Sequence, residues 1–393
     1  MTAAPPVEGP LAGVRVVALE QSVAGPLCSR ILADLGADVV KWERAGVGDF
    51  ARHWDDHVHG ESGQFWWLNR GKSSVAVDLR DDDQKQSFFA ALDDADVLVH
   101  NMSPAAAARL GLDESGLSGR FPRLVSCQIS GYGADSPYAD RKAYDMLVQA
   151  ESGIMSLTGT PDTPTRVGVS MCDVSTGLYA AVLVVAAVHE QRATGRGRCV
   201  DLAMHDVAVE FLGPMLTSYV NEDVSYARVP QHHHGIAPYG VFRCADGEVV
   251  VAVEQDAEWV HFCATVLRRP ELAEAPEYAT NLQRIARRDE VNALVDAALV
   301  DRPVDEVVAL LGAEGFAFGR LNDVAAVAEH PVVAARGVLD LTRTADGTAV
   351  RALRGLAARV FGVRPTRDRP PLLGEDQHLM GAAPRGAPGE GTS

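Results

Sequence analysis

Asp173 stands where a long apolar helix is predicted to begin, and it is the carboxylate in this chain that is best placed for a catalytic role. Residues 180–188 after it are small or aliphatic and predict a buried helix. An aspartate at this place can cap the helix by accepting hydrogen bonds from free backbone N–H groups, and the helix dipole favours its ionised form. A fixed, ionised carboxylate can also act as a covalent nucleophile. Position alone favours capping, because aspartate is among the commonest N-cap residues.

A run of three histidines, His232 to His234, is the closest approach to a metal-binding pattern. The run has no cysteine or carboxylate at metal-ligand spacing, so solvated loop histidines are the simpler interpretation. We therefore predict no metal site.

Composition limits the function classes. The 393 residues include 36 basic and 53 acidic side chains, for a net charge of −17, which argues against a nucleic-acid partner. An anionic ligand would have to meet a local basic patch. With 47% hydrophobic residues the chain can bury a large core, and its length favours two domains.

The six cysteines are scattered without paired spacing, which favours buried free thiols in a reducing compartment. The N-terminus has neither a basic start nor an apolar segment typical of a signal peptide. No apolar run approaches the roughly 18 residues of a membrane span. We therefore expect a cytoplasmic protein without a membrane partner.

The elements that position Asp173 follow an α/β order. Residues 14–19 predict a strand, 26–35 a helix with proline in its first turn, and 38–42 a second strand, which together form a βαβ unit. The turn at 20–25 lacks the spaced glycines through which a dinucleotide pyrophosphate approaches the backbone. A nicotinamide or flavin enzyme is therefore disfavoured.

Further strands are predicted at 74–79, 97–101, 124–130 and 198–203, with helices over 82–92 and 205–220. Beyond a polar connection at 221–235, an Asp-Gly turn between two apolar runs predicts a hairpin, and helical patterns follow. We expect a flexible start (1–10), a large domain (11–220), a smaller α+β domain (236–330), a closing segment (331–380) and a disordered tail (381–393).

Seven motifs follow one another along most of the chain. They are Leu-Ala-Asp-Leu-Gly-Ala-Asp at 32–38, Asn-Arg-Gly-Lys-Ser at 69–73, the stretch 141–159 with Tyr144 and Asp145, Asp173 and its surroundings, Thr-Gly-Arg-Gly at 194–197, Ala-Pro-Tyr-Gly-Val-Phe at 237–242 and Pro-Pro-Leu-Leu-Gly-Glu at 370–375. In this order they resemble the family III coenzyme A transferases, the group of formyl-CoA and carnitine CoA-transferases that also contains the α-methylacyl-CoA racemases. The resemblance extends from about residue 11 to about residue 375.

The resemblance implies a Rossmann-like, CoA-binding large domain to which 331–380 returns, and an interlocked homodimer. It implies that Asp173 attacks an acyl-CoA donor, forms a mixed anhydride, and then carries CoA as an aspartyl thioester until an acceptor acid takes it. Tyr144 and Asp145 would face this site. No tightly bound cofactor is implied, because acyl-CoA is itself the substrate.

The same correspondence implies binding residues for coenzyme A. These are Arg44, Asn101, Arg109 and Lys142, three cations and an amide near predicted strand ends, where open α/β sheets bind ligands. Surface arginines and lysines are usually only solvated, so each has a structural alternative. His234 and Gly168 are weaker candidates for the substrate pocket. Val23 stands where some transferases carry glutamine, which puts a polar role there in doubt.

Two alternatives remain open. A racemase of this family would need an acid/base histidine at the position of Tyr144, and a tyrosine hydroxyl is a poor base at neutral pH. A catalytically silent CoA-ester binding protein is the alternative from another class. It rests on the unusual segment 315–321, which could alter a pocket wall or merely repack a loop.

Overall fold

The computed structural model describes residues 8–381. The predicted flexible start at 1–10 and the predicted disordered tail at 381–393 therefore lie almost entirely outside the described residues. Within the described range the chain divides into two compact units. One contains 8–154, 167–213 and 332–381, and the other contains 155–166 and 214–331.

The strands, in chain order, are β1 (Arg15–Leu19), β2 (Asp38–Arg44), β3 (Ser73–Val77), β4 (Val97–His100), β5 (Val125–Ser130), β6 (Cys199–Ala203), β7 (Tyr239–Cys244), β8 (Gly247–Ala252), β9 (Ala317–Arg320), β10 (Leu339–Arg343) and β11 (Ala349–Leu353). The helices are α1 (Ala24–Asp34), α2 (Gly63–Asn69), α3 (Asp82–Asp93), α4 (Pro104–Leu110), α5 (Glu114–Arg120), α6 (Asp145–Glu151), α7 (Ile154–Leu157), α8 (Met171–Thr194), α9 (Met204–Glu210), α10 (Gly213–Glu222), α11 (Asp256–Thr265), α12 (Glu271–Glu274), α13 (Asn281–Ala286), α14 (Arg288–Leu299), α15 (Val304–Glu314), α16 (Val324–Ala328), α17 (Pro331–Ala335) and α18 (Leu356–Phe361). Short 3₁₀ turns lie at Phe50–His53 and Gln377–Leu379.

The larger unit is built on a parallel sheet of six strands in the order β3-β2-β1-β4-β5-β6. The strand order reverses between β1 and β4, whose carboxyl-terminal residues Leu19 and His100 lie side by side. This is the doubly wound arrangement of Rossmann-like folds. The predicted α/β class with a Rossmann-like domain is confirmed.

Helix α8 packs closely along α1 in this unit. A β-carbon at Gly177 would come within 2.8 Å of the Ala24 carbonyl oxygen and 2.9 Å of the Leu27 side chain. Glycine therefore allows the two helix backbones to approach here. Cys172 and Ala180 on α8 are fully buried in the core shared with the sheet.

The prediction of a buried helix over residues 180–188 holds for only one face of α8. Its outer face exposes Leu178, Tyr179 and Val182, which with Ile31 and Leu35 line an apolar groove of about 400 Å³. By length and composition alone α8 could also cross a membrane, contrary to the prediction that no segment reaches that length. Half of its most apolar stretch is buried in the protein, and buried core helices can have the same length and apolar composition.

The predicted helix at 205–220 is two helices, α9 and α10. The break falls at Phe211 and Leu212, just before Gly213 and Pro214. Proline has no N–H to continue the helical ladder, and it disfavours helical backbone at the residue before it. The division between the two compact units follows Gly213.

The smaller unit contains the antiparallel sheet β7-β8-β9 and helices α11 to α16. The unusual segment 315–321 contributes strand β9, which pairs with β8, and Phe316 is buried against Phe262 at 5.2 Å between ring centroids. The fully buried Arg284 donates to the carbonyls of Ala237 and Tyr278. The unusual segment is therefore part of the small sheet rather than a free loop.

Candidate active site

Asp173 is the third residue of α8, not its N-cap. The N-cap is Ser170, whose side chain makes no capping hydrogen bond. Among the hydrogen bonds of residues 8–381, none uses a carboxylate oxygen of Asp173. The prediction that Asp173 caps α8 is wrong, because the helix begins two residues before it. Its partly buried carboxylate keeps its oxygens for other partners.

Asp145 performs the capping instead, from the first turn of α6. Its Oδ1 accepts hydrogen bonds from the backbone N–H groups of Cys172 at 2.8 Å and Asp173 at 3.2 Å. The side chain is buried, with 8% of its surface exposed. Tyr144 is the N-cap of α6 and is 67% exposed, so it is not a packed core aromatic. The structure therefore brings Asp145 and Asp173 together, with Tyr144 beside them in the chain.

Burial raises the pKa of the Asp173 carboxyl to about 7, and the neighbouring charge of Asp145 adds to the effect. Both causes disfavour the ionised form. The thiol of Cys172 lies beside the same two carboxylates, and burial followed by their charges raises its pKa to about 12. At neutral pH the titrating group is therefore the Asp173 carboxyl, while the thiol stays neutral.

The first backbone N–H groups of α8 are already used. Met171 donates to the Val169 carbonyl at 2.8 Å, and Val174 donates to that of Ser170 at 2.9 Å. Those of Cys172 and Asp173 are taken by Asp145, as described. An oxyanion developing near Asp173 therefore needs donors from elsewhere than this turn. Gly168 is exposed, and a β-carbon there would have no neighbour within 4 Å, so its backbone is open to a ligand.

A second feature lies at the carboxyl ends of the parallel strands. A pocket of about 170 Å³ opens between β1, β2 and β4, and Arg44 and Asn101 both line it. This is the point where the strand order reverses, which is where open α/β sheets bind ligands. The volume is below the roughly 300–1,000 Å³ that encloses a whole small molecule, so the pocket suits part of a larger ligand.

Asn101 also ties the two central strand ends together. Its Oδ1 accepts from the Gln21 N–H at 3.0 Å, and its Nδ2 donates to the Gln21 carbonyl at 2.7 Å. Ser22, in a left-handed conformation with φ 68°, donates its N–H to Asp49 at 2.9 Å. Val23 is buried in an apolar cluster with Leu68, so it has no polar role.

A buried ionic cluster, absent from the predicted site residues, lies under this pocket. Lys41 donates to carboxylate oxygens of Glu20 at 2.5 Å and Asp49 at 2.9 Å, and Lys72 donates to Glu20 at 3.1 Å. Burial alone would raise the pKa of Glu20, but Lys41 and Lys72 lower it to about 2. A signal was present, since Lys41 stands within a predicted strand of a buried sheet, where a charge requires a partner.

The remaining predicted site residues are not placed with these two features. Arg109 on α4 and Lys142 before α6 are exposed, and neither lines the strand-end pocket. His234 belongs to the smaller unit, edge-on to Tyr226 at 5.9 Å between ring centroids. Within residues 8–381 no group of three His, Cys, Asp or Glu side chains is arranged to hold a metal ion.

The predicted free cysteines are confirmed. All six are unpaired, and five of them are buried, with Cys199 partly exposed. The cytoplasmic location inferred from them stays a prediction.

Comparisons with known proteins support one family. The model of CoA-transferase family III matches residues 11–377. The chain is 32% identical to the succinate–glutarate CoA-transferase of Agrobacterium fabrum over 387 residues, covering 96% of both chains. It is 35% identical to the acetyl-CoA:oxalate CoA-transferase of Acetobacter aceti, covering 84% of this chain and 86% of that one. The human succinyl-CoA:glutarate CoA-transferase is 31% identical, with coverage of 93% and 84%.

Solved structures agree with the sequence matches. A crystal structure of a CAIB/BAIF family protein from Brucella suis superposes with a TM-score of 0.80 at 31% identity, covering 95% of this chain and 98% of that one. A protein of Mycobacterium tuberculosis gives a TM-score of 0.83 at 30% identity, with coverage of 95% and 99%. The chain, a CoA-transferase by these matches, therefore belongs to CoA-transferase family III.

Proposed function

We propose that the protein moves coenzyme A from an acyl-CoA donor to a carboxylic acid through covalent intermediates on Asp173. The observation that carries this proposal is the position of its carboxylate. It is partly buried, free of protein hydrogen bonds among the described residues, and attached to a backbone that Asp145 holds. A structural cap would instead use its oxygens on the helix N–H groups.

The reaction needs no external activation. The ionised Asp173 attacks the thioester carbonyl of the donor and expels the CoA thiolate, which leaves a mixed anhydride. The thiolate then attacks the Asp173 carbonyl of that anhydride, which releases the donor acid and leaves an aspartyl-CoA thioester. The acceptor carboxylate attacks this thioester and repeats the two steps in reverse. The covalent route splits one difficult exchange into easier steps.

A short dicarboxylic acid is the proposed acceptor class. The support lies in the names of the relatives, which specify glutarate, oxalate, mesaconate and citramalate as acids. We propose to test glutarate, oxalate and mesaconate with succinyl-CoA and acetyl-CoA as donors. A monocarboxylic acid of similar length, such as butyrate, is the control for the second carboxylate.

For coenzyme A itself, Arg44 and Asn101 at the strand-end pocket are the better-supported binding residues. Arg44 supplies an exposed cation at the end of β2, which suits a phosphate, and Asn101 shares the pocket. Arg109 and Lys142 keep their proposed roles from the family resemblance alone. His234 and Gly168 stay proposals for the acyl pocket on the same basis, with the open backbone at Gly168 in favour of the latter.

The test is to trap the aspartyl-CoA thioester. Incubation with acyl-CoA should add the mass of CoA to the peptide containing Asp173, and borohydride reduction should remove it. Asp173→Ala should abolish both the adduct and exchange between acyl-CoA and free acid. Asp206→Ala is the matched control, because Asp206 is also the third residue of a helix that begins with methionine, α9. Full exchange by Asp173→Ala would refute the nucleophile assignment.

Racemisation of 2-methylacyl-CoA stays the second candidate. It requires a base on each face of the α-carbon, and the position that would supply a histidine carries the exposed Tyr144. Incubation of a chiral 2-methylacyl-CoA in D₂O separates the two functions. Rapid α-deuteration without an acceptor acid would overturn the transferase proposal. A silent binding protein would give neither deuteration nor an adduct.

We also propose that the protein acts as a homodimer, as the resemblance implies. The exposed apolar face of α8, with Leu178, Tyr179 and Val182, supports a protein partner at this surface. Light scattering should give twice the chain mass of 41.9 kDa. A monomer at micromolar concentration would contradict the proposal.

A further inference from the structure

Gln149 lies one helical turn after Asp145 on α6 and is fully buried, with 0% of its surface exposed. Neither the sequence motifs nor the proposed chemistry gives this residue a role. Its spacing of four residues places its side chain on the same helix face as Asp145. A buried primary amide must satisfy its donors and acceptor, so its partners indicate what it does.

The Gln149 amide joins Asp145 to the chain segment before α8. Its Nε2 donates to Asp145 Oδ2 at 2.7 Å and to the Val169 carbonyl at 3.5 Å. Its Oε1 accepts from the Val167 N–H at 2.8 Å. The reversed amide would place an oxygen against the Asp145 carboxylate and an NH₂ group against the Val167 N–H. Only one orientation therefore satisfies all partners.

Through this amide, both oxygens of Asp145 are held. Oδ2 is fixed by Gln149, which turns Oδ1 toward the N–H groups of Cys172 and Asp173. Because the same amide also holds Val167, the segment leading into α8 and the carboxylate that caps α8 are fixed to each other. One side chain therefore contacts both the segment that leads into α8 and the carboxylate that caps it.

We propose that Gln149 is a positioning residue for the nucleophile, and that it sets the placement of Asp173 by orienting the Asp145 carboxylate. This inference rests on the proposed function, because Asp173 is the group it serves. Gln149 itself does not touch substrate. Its contribution is to keep Asp145 in contact with the Asp173 backbone throughout the exchange.

The surroundings of Asp173 identify the charges that matter. From α6 the interacting charge is Asp145, and the Cys172 thiol on α8 stays neutral. On α1 the ionisable Arg30 and Asp34 pair with each other at 3.2 Å. On β6 and α9 the charged side chains are exposed or partly exposed: Asp201, His205, Asp206 and Glu210. The remaining ionisable groups on α1, β5 and β6 are thiols, those of Cys28, Cys127 and Cys199 respectively.

Two substitutions of Gln149 should act in opposite directions on the pH profile. Gln149→Glu has the same shape but adds a carboxylate facing Asp145. The extra negative charge should move the acid limb, the low-pH side of the plot of kcat against pH, upward by about one pH unit. Gln149→Leu removes the donor to Asp145, whose carboxylate is then free to turn away from Asp173, so the acid limb should move downward. Both should lower kcat by about 10- to 100-fold, with less than about threefold change in KM for acyl-CoA.

Gln191→Leu is the matched control. Gln191 is a buried glutamine near the far end of α8, and its Nε2 donates to the Arg123 carbonyl at 2.9 Å. This variant should lose stability but keep the pH profile of the wild type. A merely structural Gln149 would behave in the same way.

Unfolding curves establish whether each variant is folded. If Gln149→Leu does not fold, the isosteric Gln149→Glu still provides the test. A crystal structure of a folded variant measures the Asp145–Asp173 contact independently of activity. An unmoved acid limb in both variants, or an unchanged contact together with wild-type kcat, would overturn the inference. Failure of the wild type to form the thioester would instead overturn the proposed function, while the crystallographic contact would still test the role of Gln149.

Discussion

Asp145 and Asp173 are joined by a hydrogen bond from the Asp173 N–H to Asp145 Oδ1, at 3.2 Å, although both side chains are acids. The bond fixes the backbone of Asp173 while the Asp145 charge opposes ionisation of its carboxyl. The contact thus places the nucleophile and raises its pKa at the same time. A carboxylate with a raised pKa is a stronger nucleophile once ionised, but less of it is ionised at neutral pH.

The first prediction concerns pH dependence. Since the pKa of Asp173 is raised from 3.8 to about 7, the nucleophile is protonated below that pH and ionised above it. Transferase activity should therefore rise with pH and level off at about pH 8. The measurement is kcat for exchange between pH 5 and 9, with donor and acceptor saturating.

Asp145→Asn tests whether the charge of Asp145 contributes to the raised pKa of Asp173. Removal of the neighbouring charge should move the acid limb toward lower pH, because burial alone then raises the pKa of Asp173. The rate at high pH should fall as well, since the amide cannot present acceptors to both Gln149 and the α8 N–H groups. An acid limb that stays in place would show that Asp145 does not set it.

The second prediction concerns stability. A carboxyl whose folded pKa lies above its unfolded value binds its proton more tightly in the folded state, so stability falls as pH rises from about 4 to about 7. Asp173→Asn removes the buried charge. The variant should match the wild type near pH 4 and exceed its free energy of unfolding by about 1–2 kcal/mol at pH 8. Denaturant titrations at the two pH values measure this, and a less stable variant at pH 8 would contradict it.

The sheet could be predicted from sequence because its signals are local. The strands β1 and β2 are short apolar runs on either side of a helical pattern, and their observed ends differ from the predicted ones by at most two residues. The break between α9 and α10 also had a local signal in Gly213 and Pro214, which outweighs the helical pattern of residues 205–220.

The site was predictable only in part. Arg44 and Asn101 share a pocket because each lies at the carboxyl end of a strand of the same sheet, which sequence order can indicate. The cap of α8 comes instead from Asp145, a contact across 28 residues with Asp173, and no local pattern around Asp173 predicts it. The role of Gln149 depends on the same long-range contact. The buried partners of Lys41 likewise lie outside its strand, with Glu20 directly after β1 and Asp49 in the loop that follows β2.

The third prediction concerns the strand-end pocket. If Arg44 meets a phosphate of coenzyme A, Arg44→Ala should raise KM for acyl-CoA by about tenfold and leave kcat within about twofold. A dephospho-CoA thioester separates the phosphates. If Arg44 contacts the 3′-phosphate, the variant and the wild type should have similar KM values for that substrate. Arg109→Ala should have the smaller effect, because Arg109 does not line the pocket. A larger effect of Arg109→Ala would place the phosphates elsewhere.

The last prediction concerns the buried cluster beneath that pocket. Lys41→Met leaves the carboxylates of Glu20 and Asp49 without their shared cation, so it should lower the free energy of unfolding by about 3–5 kcal/mol. Adding Glu20→Gln removes one of the two carboxylates that lose Lys41, although Glu20 keeps Lys72 as a partner in the single variant, and the double variant should be more stable than the sum of the single effects by about 1–3 kcal/mol. Arg80→Met is the control, because the side chain of Arg80 is exposed where it pairs with Asp78, and the loss of such a surface ion pair should change stability little. Since the folded pKa of Glu20 is about 2, below its ordinary 4.5, its contribution is complete above pH 4.5 and disappears as pH falls toward 2. Additive single and double effects would show that Lys41 and Glu20 do not act as a pair, whatever their distance.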